Sequence, residues 1–483
     1  MAKLLPVGLA AGAVAALALW LTGGGRAHGL TERLPDTDTT GLAAGGVLAP
    51  SALPGTLIKG DGVAVGPDSP LYSLSWPRFR GARLDNVSTE PLPLSRDWGR
   101  EGPKVLWSVN MGEGYAGPAV LNGRVYVLDY DQQRQGDALL CLSLADGKEI
   151  WRRWYPNRIL RQHGMSRTVP AVTDKYVVTL GPKCHVMCVD AASGEYRWGL
   201  DLVNEFKTEV PQWSAGQCPL IDGSKAIIAP GAKTCLMLAV DCQTGSILWR
   251  TPNPKGWQMT HSSIVPMELA GRRMYIYCGS GGVVGVSADD GKALWEYEGW
   301  KVPMANIPTP VIVGDGRIFL TGGYNAGSMM LQVKDVGGKF VVEPLFRHKA
   351  KVFDSPQHAP ILYKEHLYSV RSDGQLACMD LEGKVLWASG SAHRFGLGPF
   401  LIADNMILAM DDEGVLTAAE ATPSGYRQIA QAAVWKKPGE DPRSAEPGEI
   451  ADGQEAWGPM ALVGGRLIVR DLTRMVCLDL RAQ

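Results

Sequence analysis

The chain is 483 residues long, 45% hydrophobic and 20% charged, which suits a globular body with a sizeable core. Lys and Arg number 48 against 49 Asp and Glu, and the formal net charge of −1 removes the electrostatic argument for a nucleic-acid binder. The 58 glycines, 32 prolines and 15 tryptophans, with no sustained helical or heptad period, point to many turns and an all-β chain.

The first element is an uncharged apolar run from Leu4 to Leu21, behind Lys3. It is long for the core of a signal peptide and just enough for a transmembrane helix. Residues 1–22 therefore read as a signal anchor or a cleaved signal peptide, and either one exports the body to the cell envelope. The expected place is periplasmic, anchored in the inner membrane or released after cleavage. No cysteine follows the run, which argues against a lipoprotein anchor. Residues 23–74 are rich in Gly, Pro and small side chains and are expected to form a flexible linker. A tether of that length would have an r.m.s. reach of roughly 40 Å.

Residues 75–483 carry a repeat. Five units end in a polar turn, a glycine and a tryptophan four residues later: "ADGKEIW" to Trp151, "SGEYRW" to Trp198, "TGSILW" to Trp249, "DGKALW" to Trp295 and "EGKVLW" to Trp387. Apolar strands precede each turn, and a proline opens the innermost one. Pro118, Pro170, Pro219, Pro310, Pro360, Pro399 and Pro459 mark seven openings, and Ser263 fills the eighth slot. Openings spaced by about 49 residues, each followed by short strands, are the mark of a propeller blade. The turn glycine supplies the positive φ that a residue with a Cβ takes only at a cost. The tryptophan, on the outer strand, is expected to pack against the glycine turn of the next blade.

The last unit lacks its tryptophan strand, and an orphan strand, "PKVLWSV" with Trp107, stands before the first unit. Together they predict one eight-bladed β-propeller in which the N-terminal strand completes the last blade and removes both sheet edges. Trp107, Trp151, Trp198, Trp249, Trp295, Trp387 and Trp435 are the expected docking residues. The blade near residue 345 departs from the pattern and offers Phe346. The stretch from Lys436 to Glu455 reads as an exposed loop.

Nine cysteines in an exported chain raise the question of disulfides. Cys141, Cys188, Cys378 and Cys477 occupy one slot, shortly before the turn, where sister units place Ala239 and Gly285. The slot asks for a small buried side chain, so these cysteines are expected as separate free thiols. No cluster has the spacing of a metal site, and no metal is expected.

"CVDAASGEYRW" and "LAVDCQTGSILW" resemble the PQQ-like β-propeller repeat family, whose blades carry an A-x-D-x-x-T-G-x-x-x-W motif. The resemblance covers about residues 75–480, and "SWPRFRGARLDNVSTE" looks like the segment that leads into the first blade of exported members. It implies the fold and leaves the activity open between two branches. One comprises quinoprotein alcohol dehydrogenases, which hold PQQ and calcium over the central channel beside a catalytic aspartate. The other is the propeller subunit of the outer-membrane barrel-assembly machine, a binding scaffold. No Cys-Cys pair occurs in this sequence, which departs from the first branch, and the lipoprotein cysteine of the second is missing.

Residues just before each proline opening are expected to line one mouth of the channel. They are Tyr115, Arg167, Trp213, His261, Asn306, His358 and Trp457, with Arg394 nearby. Such a funnel suits a ligand or a partner. Asp354 is the candidate for a quinoprotein base. The reading that weighs these together is a non-catalytic exported scaffold with envelope proteins as partners and no cofactor. The alternative is a PQQ-dependent dehydrogenase of alcohols or sugars.

Overall fold

The computed structural model describes residues 54–159, 164–435 and 455–482. The stretches read as signal segment (1–22), as linker (up to residue 53) and as exposed loop (436–454) lie outside the described residues. No described helix is long and apolar enough to cross a membrane.

The described strands form eight antiparallel sheets. Each is a meander in which a short inner strand leads outward through neighbours in sequence order. Blades 1 to 7 span 119–156, 171–201, 220–251, 265–297, 311–348, 361–388 and 400–433. Blade 8 takes its three inner strands from 461–479 and its outer strand, Lys104–Asn110, from the start of the chain. The molecule is the all-β, eight-bladed propeller that the repeat predicts, and the ring closes through the strand carrying Trp107.

The tryptophans lock most of the seams. A Cβ on Gly194 would lie 2.7 Å from the Trp151 ring of the preceding blade, and one on Gly291 would lie 2.5 Å from Trp249. These glycines have φ of +75° and +72°, so the turn needs glycine for its backbone and for its missing side chain alike. Trp107 covers Gly147 and Trp198 covers Gly245 in the same way. Several indoles also donate across the seam: Trp107 Nε1 to Leu144 O at 3.0 Å, Trp151 to Ala192 O at 3.1 Å and Trp198 to Cys242 O at 2.9 Å. Trp387 donates to Thr422 O at 2.9 Å, and Trp435 is buried. In blade 5 Phe346 and His348 lie on Gly383.

Trp295 departs from its expected role. Its indole folds back onto its own blade, where Nε1 points at Met274 Sδ at 3.3 Å. The reason lies across the ladder. Each docking tryptophan faces the small slot, as in Cys141↔Trp151, Cys188↔Trp198 and Cys477↔Trp107. Trp295 faces Gly285, and its ring fills the space a Cβ there would occupy, 2.2 Å away. All nine cysteines are buried, and none forms a disulfide among the described residues.

The N-terminal segment is more ordered than its composition suggests. Thr56–Lys59 adds a fifth strand to the outer edge of blade 1, in register with Trp151 to Trp154. Arg153, nearly buried, holds it: the guanidinium bonds Pro54 O, donates to Gly194 O at 2.7 Å and lies 3.7 Å from Glu195. The last part of the stretch read as a linker is therefore a strap across the blade 1–2 seam.

The "SWPRFRG" segment does more than lead into blade 1. Trp76 pairs with Val120 of blade 1, and Val172 of blade 2 donates to Pro77 O. Arg78 reaches Ile221 O of blade 3 at 2.8 Å, and Arg80 reaches Pro360 O at the start of blade 6 at 2.8 Å. Val87 then pairs with Ile402 of blade 7, and Glu90 accepts from Gly464 N of blade 8. Val120, Val172 and Ile221 lie on inner strands that run away from the mouth. The segment is thus a plug across the axis.

A candidate binding mouth

The inner strands all start at one end of the ring, so the loops that feed them converge there. They enclose a cavity of about 280 Å³ lined by Tyr115, Arg167, Trp213, His261, His358 and Trp457. Six of the eight expected mouth residues meet in it. Asn306 is buried, with both amide atoms lacking a hydrogen-bond partner, and its neighbours Ile307 and Thr309 line the wall instead. Arg394 lies elsewhere, exposed in a groove between blades 6 and 7.

Two lining residues, and one group that a lining residue bonds, were not singled out in the sequence. Phe79, from the plug, reaches the cavity and forms part of its wall. Tyr324 comes from the loop between the second and third strands of blade 5, so the proline-opening rule misses it. Glu455 accepts from Tyr115 Oη at 2.5 Å and sits at the end of a loop read only as exposed.

The wall is aromatic and its polar groups are fixed. Tyr115 and Trp457 have ring centroids 5.2 Å apart, and the Arg167 guanidinium lies 5.4 Å over the Tyr115 ring. Arg167 Nε donates to Trp213 O at 2.6 Å, and Trp457 Nε1 donates to Asp412 Oδ1 at 2.7 Å. Burial, then the Glu455 hydrogen bond, raises the Tyr115 hydroxyl, which stays a donor. Burial pulls Arg167 down to about 10, so it remains charged. His261 and His358 are both lowered to about 4 by burial, with Arg167 adding to the effect on His261 and Arg80 on His358. At neutral pH the cavity holds two neutral imidazoles and one cation.

Backbone strain gathers on the rim. Among the described residues, four large apolar side chains sit at positive φ on a residue other than glycine. Three are on mouth loops: Trp213 at +63°, Met304 at +68° and Tyr324 at +53°. The fourth, Leu84, belongs to the plug. Such conformations are uncommon for bulky residues and persist where the surroundings hold them. Met304 is 66% exposed and Tyr324 is 39% exposed, so the strain presents them to solvent.

Asp354 is placed for structure. It is buried, Oδ1 accepts from Ser372 N at 2.9 Å, and Oδ2 accepts from Ser372 Oγ. It does not line the cavity. Among the described residues no three His, Cys, Asp or Glu side chains converge as a metal-binding group.

A family model described as outer membrane protein assembly factor BamB matches residues 137–389, just over half of the chain. The chain belongs to this family. The crystal structure of BamB from Moraxella catarrhalis superposes with a TM-score of 0.52 at 14% identity, covering 78% of this chain and 99% of that one. A computationally designed protein, Ika8, gives 0.50 at 11% identity, over 78% and 99%. The quinohemoprotein alcohol dehydrogenase from Comamonas testosteroni gives 0.41 at 14%, over 85% and 81%, too low a score to argue from. At these identities the likeness speaks for the fold alone. No curated protein matches the sequence at a significant level.

Proposed function

We propose that the chain is an exported, non-catalytic scaffold that binds proteins or envelope components through the channel mouth and its blade loops. The observation that carries this reading is the rim, where Trp213, Met304 and Tyr324 are held in strained conformations around an aromatic cavity. Trp and Tyr dominate the energetics of protein interfaces because they bury large area at little entropic cost, and Met adapts to irregular partners. A cavity of about 280 Å³ beside them suits one inserted side chain, with Arg167 as its polar contact. The family description, an outer membrane assembly factor, supports envelope proteins as the partners and the periplasm as the place. The apolar run in residues 1–22 would keep the propeller there.

The test is site-specific photo-crosslinking in the native envelope. A photoreactive side chain at Met304 or Tyr324 is expected to give discrete protein adducts. The same group at Gly223, an open turn at the opposite end of blade 3, is expected to give none. Equal adducts from both ends, or none from the rim, would overturn the reading.

A further inference from the structure

Arg394 leads to a second site. The outer strand of blade 6, Val385–Ala388, is the shortest of the eight outer strands. The chain leaves it early, and the following loop is tied back to blade 6. Gly390 N donates to Gln375 Oε1 at 2.9 Å, Ser389 Oγ donates to His393 O at 2.6 Å, and Arg394 forms a bridge with Gln375. Blade 7 is therefore left partly uncovered. The inner half of its face toward blade 6 is apolar, with Phe400, Ile402, Ile407 and Ala409 packed against Ile361 and Tyr368.

The outer half of that face is polar. Thr417 pairs with Gln431 and Ala419 with Gln428, which places both glutamines on one side, while Leu416 and Ala418 turn the other way into the core shared with blade 8. A seam between blades would ordinarily be apolar here. Instead a groove of about 720 Å³ opens, lined by these polar groups with His393, Arg394, Asp411 and Glu413. Its size falls within the range of small-ligand clefts, about 300–1,000 Å³.

We propose that this groove between blades 6 and 7 binds a neutral oligosaccharide. The carboxylates of Asp411 and Glu413 share the lining with the guanidinium of Arg394, so the groove carries charges of both signs and offers neither a bare cation nor an anion a wall of one sign. The lining has too little apolar area to hold a lipid chain. What it offers is a dense set of planar donors and acceptors, which is what vicinal hydroxyls require. Asp411 Oδ1 is used by Val415 N at 2.8 Å and Glu413 N at 3.0 Å, and Oδ2 receives no donor from the described residues. The rings of His393 and Tyr426, with centroids 4.9 Å apart and planes tilted by 43°, add an aromatic corner against which the C–H face of a sugar can pack. The site is separate from the mouth and does not depend on the scaffold reading.

The experiment is a titration of the full-length protein with maltotriose, cellotriose and tri-N-acetylchitotriose, followed by saturation-transfer NMR and calorimetry. Saturable binding of at least one is expected. Gln431→Leu and Arg394→Ala, both at exposed positions, should each weaken it by at least about tenfold without moving the melting temperature. Trp213→Ala should leave it unchanged. The proposal is overturned if none of the three sugars saturates at millimolar concentration, or if both variants bind like the parent. A saturable response to calcium chloride or sodium phosphate in place of the sugars would also overturn it.

Discussion

His261 and His358 show how burial sets chemistry at the scale of one residue. Both are lowered to about 4, against about 6.5 in an unfolded chain. A base with a depressed pKa is neutral in the fold, so its contribution to stability is full above about 6.5 and is lost as pH falls toward 4. Asp137 is wholly buried and raised to about 6, which works with the opposite sign: its contribution is present below about 4 and is lost as pH rises through 6. These effects oppose each other in a melting curve, so NMR is the clean measurement. The histidine ring resonances of both residues should stay flat from pH 8 to about 5. Titration of either near 6.5 would mean that the mouth is wetter than its packing indicates. The docking tryptophans belong to the same scale. Trp249→Ala should cost about 3–5 kcal/mol in urea melts, because a large ring leaves a cavity against Gly291. Gly291→Ala should cost about 1–3 kcal/mol, since its Cβ meets that ring. Equal stability of parent and variants would mean that the ring is not what locks the seam. The tryptophan–glycine pairing is legible in sequence because both partners sit at fixed places in a local repeat. Trp295 is not, because its direction depends on the residue facing it across the ladder. Asp354 is not either, because a carboxylate that caps a turn and one that takes a proton look alike without neighbours.

At the scale of elements, the ring is held where its two ends meet. Arg470, on the second strand of blade 8, is wholly buried. It lies 3.1 Å from Asp129 of blade 1 and donates to Gly112 O at 2.6 Å. Asp129 Oδ2 in turn accepts from Gly112 N at 3.0 Å. Asp129→Ala would leave the guanidinium buried without its charge partner and should cost about 3–5 kcal/mol. Replacing both residues with apolar ones of similar size should recover part of that loss. A single variant as stable as the parent would show that water takes the place of the carboxylate and that the seam does not depend on the pair. The closing strand was legible, since a missing tryptophan at one end and an orphan at the other define it. The strap Thr56–Lys59 was hidden, because four residues in a Gly- and Pro-rich stretch give no periodicity to read.

The whole molecule is a ring with its axis plugged by its own N-terminal segment. The plug binds mostly through backbone groups of distant inner strands, and such contacts leave no pattern in the residues that make them. Removing residues 1–53 should leave the melting temperature unchanged. Removing 1–95 takes away the strap and the plug and should lower it, and removing 1–110 also deletes the closing strand and should give an insoluble or unfolded chain. If the first two truncations melted alike by calorimetry, the plug would have no part in stability. The mouth itself was legible because strand direction alone decides which loops meet there; Phe79 and Tyr324 escaped that rule by arriving from the plug and from a blade's outer turn. The scaffold reading rests on the mouth being the partner surface. The most direct measurement is the yield of crosslinked adducts from a photoreactive group at position 304 in the native envelope, with and without Trp213→Ala and Tyr324→Ala together. The account predicts a fall of at least about tenfold with an unchanged melting curve. An unchanged yield in a folded double variant would contradict it.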